Sequence, residues 1–154
     1  DFGSGVQWNE EYVVTAKHVA FVDNSVYKCF EGCDIQFVKR KASSNIPLWR
    51  NVISGEQLIF LGVNQENKLL SIHSNDMNIQ TYTTSNYTVI ANLSDSQVVG
   101  GMSGGPAYSS DGKVVGMLTG GTVINNDQNV TVYLEYSAIK AAWELFQANK
   151  LAIK

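Results

Sequence analysis

"GGMSGGPAYSSDGKVVGMLTGG", residues 100–121, places four glycines in six positions around Met102 and Ser103, then continues through Asp111-Gly112 between two β-rich segments. Two physical readings of this stretch compete. Glycine reaches positive φ and lets backbones approach closely, so the cluster can be no more than a tight turn ahead of a hairpin. A serine wrapped in glycine is also what a nucleophile needs when neighbouring N–H groups must point, unobstructed, at a developing oxyanion. The rest of the chain decides between them.

The chain has 154 residues, of which 44% are hydrophobic, 16% charged and 10% aromatic, enough for one domain or for two small halves sharing an interface. A formal charge of −3 argues against nucleic acid as the main partner, since a phosphate-binding surface shows as a basic excess. No apolar run approaches the roughly eighteen residues a membrane span needs, so no membrane partner is expected. The abrupt start in a Gly-Ser-Gly strand signal leaves room for a leader or a further domain ahead of Asp1. Cys29 and Cys33, in "CFEGC", fit either a small disulfide loop or a pair of reduced thiols.

Short alternating runs rich in Val, Ile, Tyr and Thr, separated by Gly, Asn, Asp and Ser clusters, predict an all-β barrel or sandwich. Strands are expected near 3–8, 11–16, 19–22, 26–30, 34–39, 57–61, 68–73, 78–83, 86–92, 106–109, 113–119 and 130–136. "LGVNQEN", residues 61–67, is the best linker candidate. The one clear helix is "YSAIKAAWELFQANK", with Ser137 as the expected N-cap and Ile139, Ala142, Trp143 and Phe146 along one face.

Ser103 lies in Gly-x-Ser-x-Gly, which also describes the nucleophile elbow of α/β-hydrolases. In those enzymes the histidine follows the serine, whereas His18 and His73, the two histidines here, both precede Ser103. Chain order therefore excludes that fold. His18 ends the β-rich run of "YVVTAKHVAFV", and Asp34 opens the apolar strand of "CDIQFVKRK". Together with "GMSGGP", these segments resemble those carrying the general base, the orienting carboxylate and the nucleophile in the trypsin-like (chymotrypsin-fold) serine peptidases, closest in character to the compact bacterial and viral branch. "GEQLIFLGV", residues 55–63, is similar to the last strand of that family's first barrel, and "NVTVYLEYSAIKAAWELF" to its last strand and terminal helix. The resemblance covers nearly the whole chain in the family's His, Asp, Ser order.

The resemblance implies two packed antiparallel β-barrels and a C-terminal helix: 1–62 carrying His18 and Asp34, 63–136 carrying Ser103, and 137–154 as the helix. It implies a serine endopeptidase without cofactor or metal, whose partner is a protein or peptide substrate. His18 would take the Ser103 proton and return it to the leaving amine, with Asp34 fixing the imidazole tautomer. The N–H groups of Gly101 and Ser103 would form the oxyanion hole. "DSQVVGG" would supply one pocket wall with Gln97 and Val98, and Thr131 of "VTVYL" the other. Thr119, Gly120 and Gly121 of "LTGG" would form the strand onto which substrate adds. Gln97 falls where trypsin-like relatives keep a basal aspartate, so cleavage after Lys or Arg is not expected.

Some features depart from the family pattern. His18 and Asp34 are only sixteen positions apart, so the intervening hairpin must be short. Asp76, near His73, is the runner-up carboxylate. Met102 stands where many digestive relatives pair an aspartate with a freshly cleaved amino terminus. Two other classes stay open: a non-catalytic protein-binding module on the same fold, and a zinc-stabilised domain using His18, Cys29, Cys33 and His73, whose spacing fits no common zinc pattern. A secreted or periplasmic setting and a viral polyprotein origin are both compatible with the sequence, and the oligomeric state is open.

Overall fold

A computed structural model describes residues 4–16, 25–28, 34–53, 55–63, 68–75, 79–80, 87–91, 102–124 and 128–152. The smaller of two antiparallel sheets contains β1 (Val6–Gln7), β2 (Tyr12–Thr15), β3 (Ser25–Lys28) and β4 (Gln36–Lys39), in the order β1-β2-β4-β3. The chain leaves β2, forms β3 at the sheet edge, and returns to place β4 between them. Val14 lies opposite Phe37 and Thr15 opposite Gln36.

Strands of two to four residues cannot enclose a core by themselves. The helix α1 (Tyr136–Ala152) completes it, burying Ile139, Ala142 and Phe146 on the face that the sequence spacing predicts. Trp143 packs edge-on to Phe37 at a centroid distance of 5.0 Å and to Tyr12 at 5.1 Å, while Phe146 stacks on Tyr27 at 5.2 Å. Aromatic pairs at such separations each contribute about 0.5–1.5 kcal/mol beyond area burial. The helix starts directly where β11 (Gln128–Glu135) ends, so Ser137 sits inside the first turn rather than capping it. The ladder explains this, because Glu135 still pairs with Gly116 and leaves no loop in which a cap could form.

The larger sheet adds β5 (Gln57–Val63), β6 (Leu69–Asn75), β7 (Ile79–Gln80), β8 (Tyr87–Ala91), β9 (Pro106–Ser109) and β10 (Val114–Ile124) to β11, in the order β6-β5-β9-β10-β11-β8-β7. Among the described residues each sheet is an open ladder, so the expected barrels take the form of two antiparallel sheets. β5, similar in sequence to the last strand of a first barrel, lies in the larger sheet. It does not close the first sheet but is bonded along both edges into the second, from Leu58↔Ser109 to Phe60↔Ala107 on one side and from Gln57↔Asn75 to Val63↔Leu69 on the other. Its alternating Leu58 and Phe60 enter a core with Met102, Ala107, Val115, Leu118 and Tyr133. The period-two alternation holds that register, since a one-residue slip would turn both side chains away. Hydrogen bonding thus divides the chain between Lys39 and Gln57, and the linker candidate 61–67 begins inside a strand and leads into its hairpin partner.

The segment between the sheets is pinned. Val114 N–H donates to the Leu48 carbonyl at 2.8 Å and Arg50 N–H to the Val114 carbonyl at 3.0 Å. The Arg50 guanidinium forks onto Glu56 at 3.0 and 2.8 Å and reaches Asp111 at 3.1 Å. Hydrogen bonds from Arg50 hold the Glu56 carboxyl below its usual range, and the Ser109 hydroxyl followed by Arg50 does the same for Asp111.

Candidate active site

Ser103 sits in the turn Met102–Gly105 that leads into β9, and the turn is anchored from both ends. Met102 is fully buried in the core of the larger sheet, so the residue before the serine points inward. Gly105 N–H donates back to the Met102 carbonyl at 3.1 Å, Gly104 N–H to the Leu118 carbonyl at 2.7 Å, and Leu118 N–H to the Gly105 carbonyl at 2.8 Å. The Gly104 amide therefore fastens the turn to β10, and the Gly105 amide closes the turn on itself.

Two of the glycines are required by geometry. Gly104 has φ 94°, a left-handed conformation that L side chains rarely adopt, and a Cβ there would collide with the Ser4 carbonyl oxygen and with Thr15 Oγ1. A Cβ on Gly105 would run into the Leu61 carbonyl oxygen of β5. Packing thus accounts for part of the glycine cluster: the turn is pressed against β2, β5 and the segment at Ser4, and side chains at 104 and 105 would push it away.

The Ser103 hydroxyl donates to the Thr119 carbonyl at 3.1 Å. Thr119 is the extra residue of a β-bulge, because the β10–β11 pairing passes from Leu118↔Tyr133 to Gly120↔Val132 without it. Its own hydroxyl donates to the Val132 carbonyl at 3.2 Å, which fixes the bulge. A bulge re-aims the backbone groups of the residue it adds. Here it turns a carbonyl toward the serine at the point where β10 stops pairing with β9, whose last register pair with β10 is Pro106↔Met117. Past that point Gly120 and Gly121 continue β10 opposite Val132 and Thr131. The expected substrate strand and the expected opposite wall are therefore neighbours in one ladder, and β10 runs to Ile124 rather than ending near 119.

Asp34 belongs to the other sheet. It is half-buried and lies two residues ahead of β4. Two positions on stands a residue that sequence reasoning does not single out: Gln36 is 1% exposed and donates its side-chain amide to the Ala16 carbonyl at 2.9 Å. That bond cross-links the segment leaving β2 to the start of β4. All of Ile35, Gln36, Phe37 and Val38 are buried, so no polar–apolar alternation marks Gln36 in the sequence.

The remaining expected site residues lie outside the described residues: His18, Gly101, Gln97 and Val98, together with Asp76, Cys29 and Cys33. The expected strand at 19–22 lies there too. Position 73 falls in β6, opposite Ile59.

No protein-family model and no curated protein sequence matches this chain. Solved structures do. Rv3671c protease from M. tuberculosis, in its active form, superposes with a TM-score of 0.72 at 16% identity over 91% of this chain and 71% of that one. A serine endoprotease from Yersinia pestis gives 0.68 at 15% identity, covering 94% of this chain and 57% of the other. The HtrA-type protease AlgW, solved with a decapeptide, gives 0.71 at 16% identity, and the 96% of this chain that aligns spans 51% of that protein's chain. The chain has the trypsin-like fold of these bacterial serine proteases.

Proposed function

We propose that this protein is a serine endopeptidase in which Ser103 is the nucleophile, His18 the general base and Asp34 the group that orients the imidazole. The observation that carries this reading is the Ser103 hydroxyl, held 3.1 Å from the carbonyl of a bulged residue at the head of an extended strand, on a fold shared with serine proteases. Serine by itself is a poor nucleophile, and a base within reach is what activates it. Register supports the choice of partners. Thr15 pairs with Gln36 in β2–β4, so the strand leading toward position 18 runs antiparallel to the segment that begins at Asp34.

The N–H groups of Gly101 and Ser103 are the proposed oxyanion donors, each worth about 3–4 kcal/mol of barrier in comparable sites. The Gly104 and Gly105 amides are already engaged elsewhere. The substrate is a protein or peptide that adds as a strand along Thr119, Gly120 and Gly121, with Gln97, Val98 and Thr131 lining the pocket for the residue before the scissile bond. A Lys or Arg there would bury its charge without a partner, so uncharged residues are preferred.

Peptide-library digestion by the intact chain and by Ser103→Ala tests this reading. Cleavage should disappear in the variant and in His18→Ala, and a fluorophosphonate should label Ser103 only when His18 is present. Binding of library peptides without cleavage by the unaltered chain would favour the non-catalytic module, and a profile dominated by Lys and Arg would overturn the pocket assignment.

A further inference from the structure

Residue 4 is a junction of three elements. Its N–H donates to the carbonyl of Ser103 at 3.0 Å, its carbonyl accepts the Thr15 hydroxyl at 2.6 Å, and its Oγ accepts the N–H of Val63, at the end of β5, at 3.1 Å. Thr15 is the last residue of β2, is fully buried, and precedes His18 by three positions. The hydrogen-bond chain therefore starts on the strand that leads to the proposed base, crosses from the smaller sheet to the larger, and ends on the main chain of the proposed nucleophile.

We propose that Thr15, acting through the Ser4 backbone, is a positioning residue that sets the height of the nucleophile turn relative to β2. This inference rests on the peptidase reading given above. Two opposed constraints fix the turn. The Ser4 N–H holds the Ser103 carbonyl and prevents the turn from lifting away. The Ser4 carbonyl and Thr15 Oγ1 pack so closely on Gly104 that no Cβ fits between them, which prevents the turn from sinking. Removing the Thr15 hydroxyl takes away the bond that ties the Ser4 carbonyl to β2, so the junction is free to shift relative to that strand. Such a shift moves Ser103 directly, because residue 4 is bonded to it. Acyl transfer tolerates little displacement of this kind, since a misplacement of about 1 Å costs on the order of 100-fold in rate.

Thr15→Val keeps the branched shape and the strand preference while deleting the donor, and Thr15→Ser keeps the donor while deleting a methyl group. Steady-state cleavage of a peptide found by the library experiment, normalised to active sites by fluorophosphonate titration, separates the two. Thr15→Val should lower kcat by about 10- to 100-fold with KM within about twofold. Thr15→Ser should retain kcat within about threefold of the parent even if thermal unfolding shows that it is the less stable variant. The inference is overturned if Thr15→Val retains kcat, if the loss falls on KM, or if the two variants lose kcat in step with their loss of Tm. Ser103→Ala in the same assay keeps the outcomes distinct. Activity surviving in Ser103→Ala removes the peptidase reading, whereas its loss there beside a normal Thr15→Val removes only the role of Thr15.

Discussion

Among the described residues no strand of the smaller sheet exceeds four residues, and its interior is filled by rings: Trp8, Tyr12, Tyr27, Phe37 and Trp49, with Trp143 and Phe146 brought in by the helix. In the larger sheet β10 alone has eleven residues, and backbones approach one another through glycine. A Cβ on Gly62 would meet the Met102 Cα at 2.9 Å, and one on Gly116 the Leu134 carbonyl oxygen at 2.5 Å. One half is thus held by large rings from its own strands and from the helix, and the other by strands too close to admit side chains at a few positions. The proposed nucleophile grows out of the second kind of packing, where backbone hydrogen bonds fix position without side-chain freedom. The C-terminal helix bridges the two: it lies along β10 and β11 and sends Trp143 and Phe146 into the rings of the smaller sheet.

If this contrast is real, the two halves should respond oppositely to added and removed volume. The largest effect is expected for Gly104→Ala, which combines a left-handed φ with a collision against Ser4 and Thr15. Overpacking and backbone strain together should cost about 3–5 kcal/mol, or prevent folding altogether. Denaturant midpoints would measure it, and a loss under about 1 kcal/mol would show that the turn can relax and that the contrast is overstated. Phe146→Ala removes volume from the ring-filled core and should cost about 3 kcal/mol. Phe60→Ala is the matched deletion in the other half, and comparing the two gauges how far each core can collapse around a hole.

A smaller effect is expected at the segment joining the halves. Asp111 is 46% exposed, so solvent screens its part of the network, and Arg50→Met should cost on the order of 1 kcal/mol at neutral pH. The sign with pH follows from the lowered carboxyl groups. Glu56 and Asp111 bind their protons more weakly in the folded chain, so their contribution is complete above the ordinary carboxylate range and is lost as pH falls through their folded values. The stability difference between the parent and Arg50→Met should therefore shrink as the solution is acidified below about pH 4. A difference that grows in acid would show that Arg50 acts through packing rather than charge.

Much of the strand content was legible, because period-two alternation and turn residues are local signals: the runs at 106–109 and 57–61 reappear as β9 and most of β5. What alternation does not encode is the partner. β5 reads as the end of one half until its register with β9 is known, since Leu58 and Phe60 would face a core equally well in either sheet. The run at 113–119 predicts only the first part of β10, since nothing local shows that the ladder to β11 continues through Gly120 and Gly121 to Ile124. The serine and its glycine turn stood out because several unusual residues sit together. Thr15 and Ser4 did not, since a threonine in a strand and a serine near a terminus carry no signal until the fold brings them to Ser103.

The crowding of rings in the smaller half has a spectroscopic consequence. All three tryptophans of the chain, Trp8, Trp49 and Trp143, lie in that one cluster, with Trp8 5.0 Å from Trp49 and 6.0 Å from Trp143. Indoles this close couple electronically, so the near-ultraviolet circular dichroism of the folded chain should carry exciton features that any loosening of the helix erases. Tryptophan emission will follow the smaller sheet and its helix alone, while tyrosines such as Tyr133 stand in the core beside the nucleophile turn. Following tryptophan emission beside the far-ultraviolet circular dichroism of the strands in both sheets would show whether the halves come apart together or one before the other.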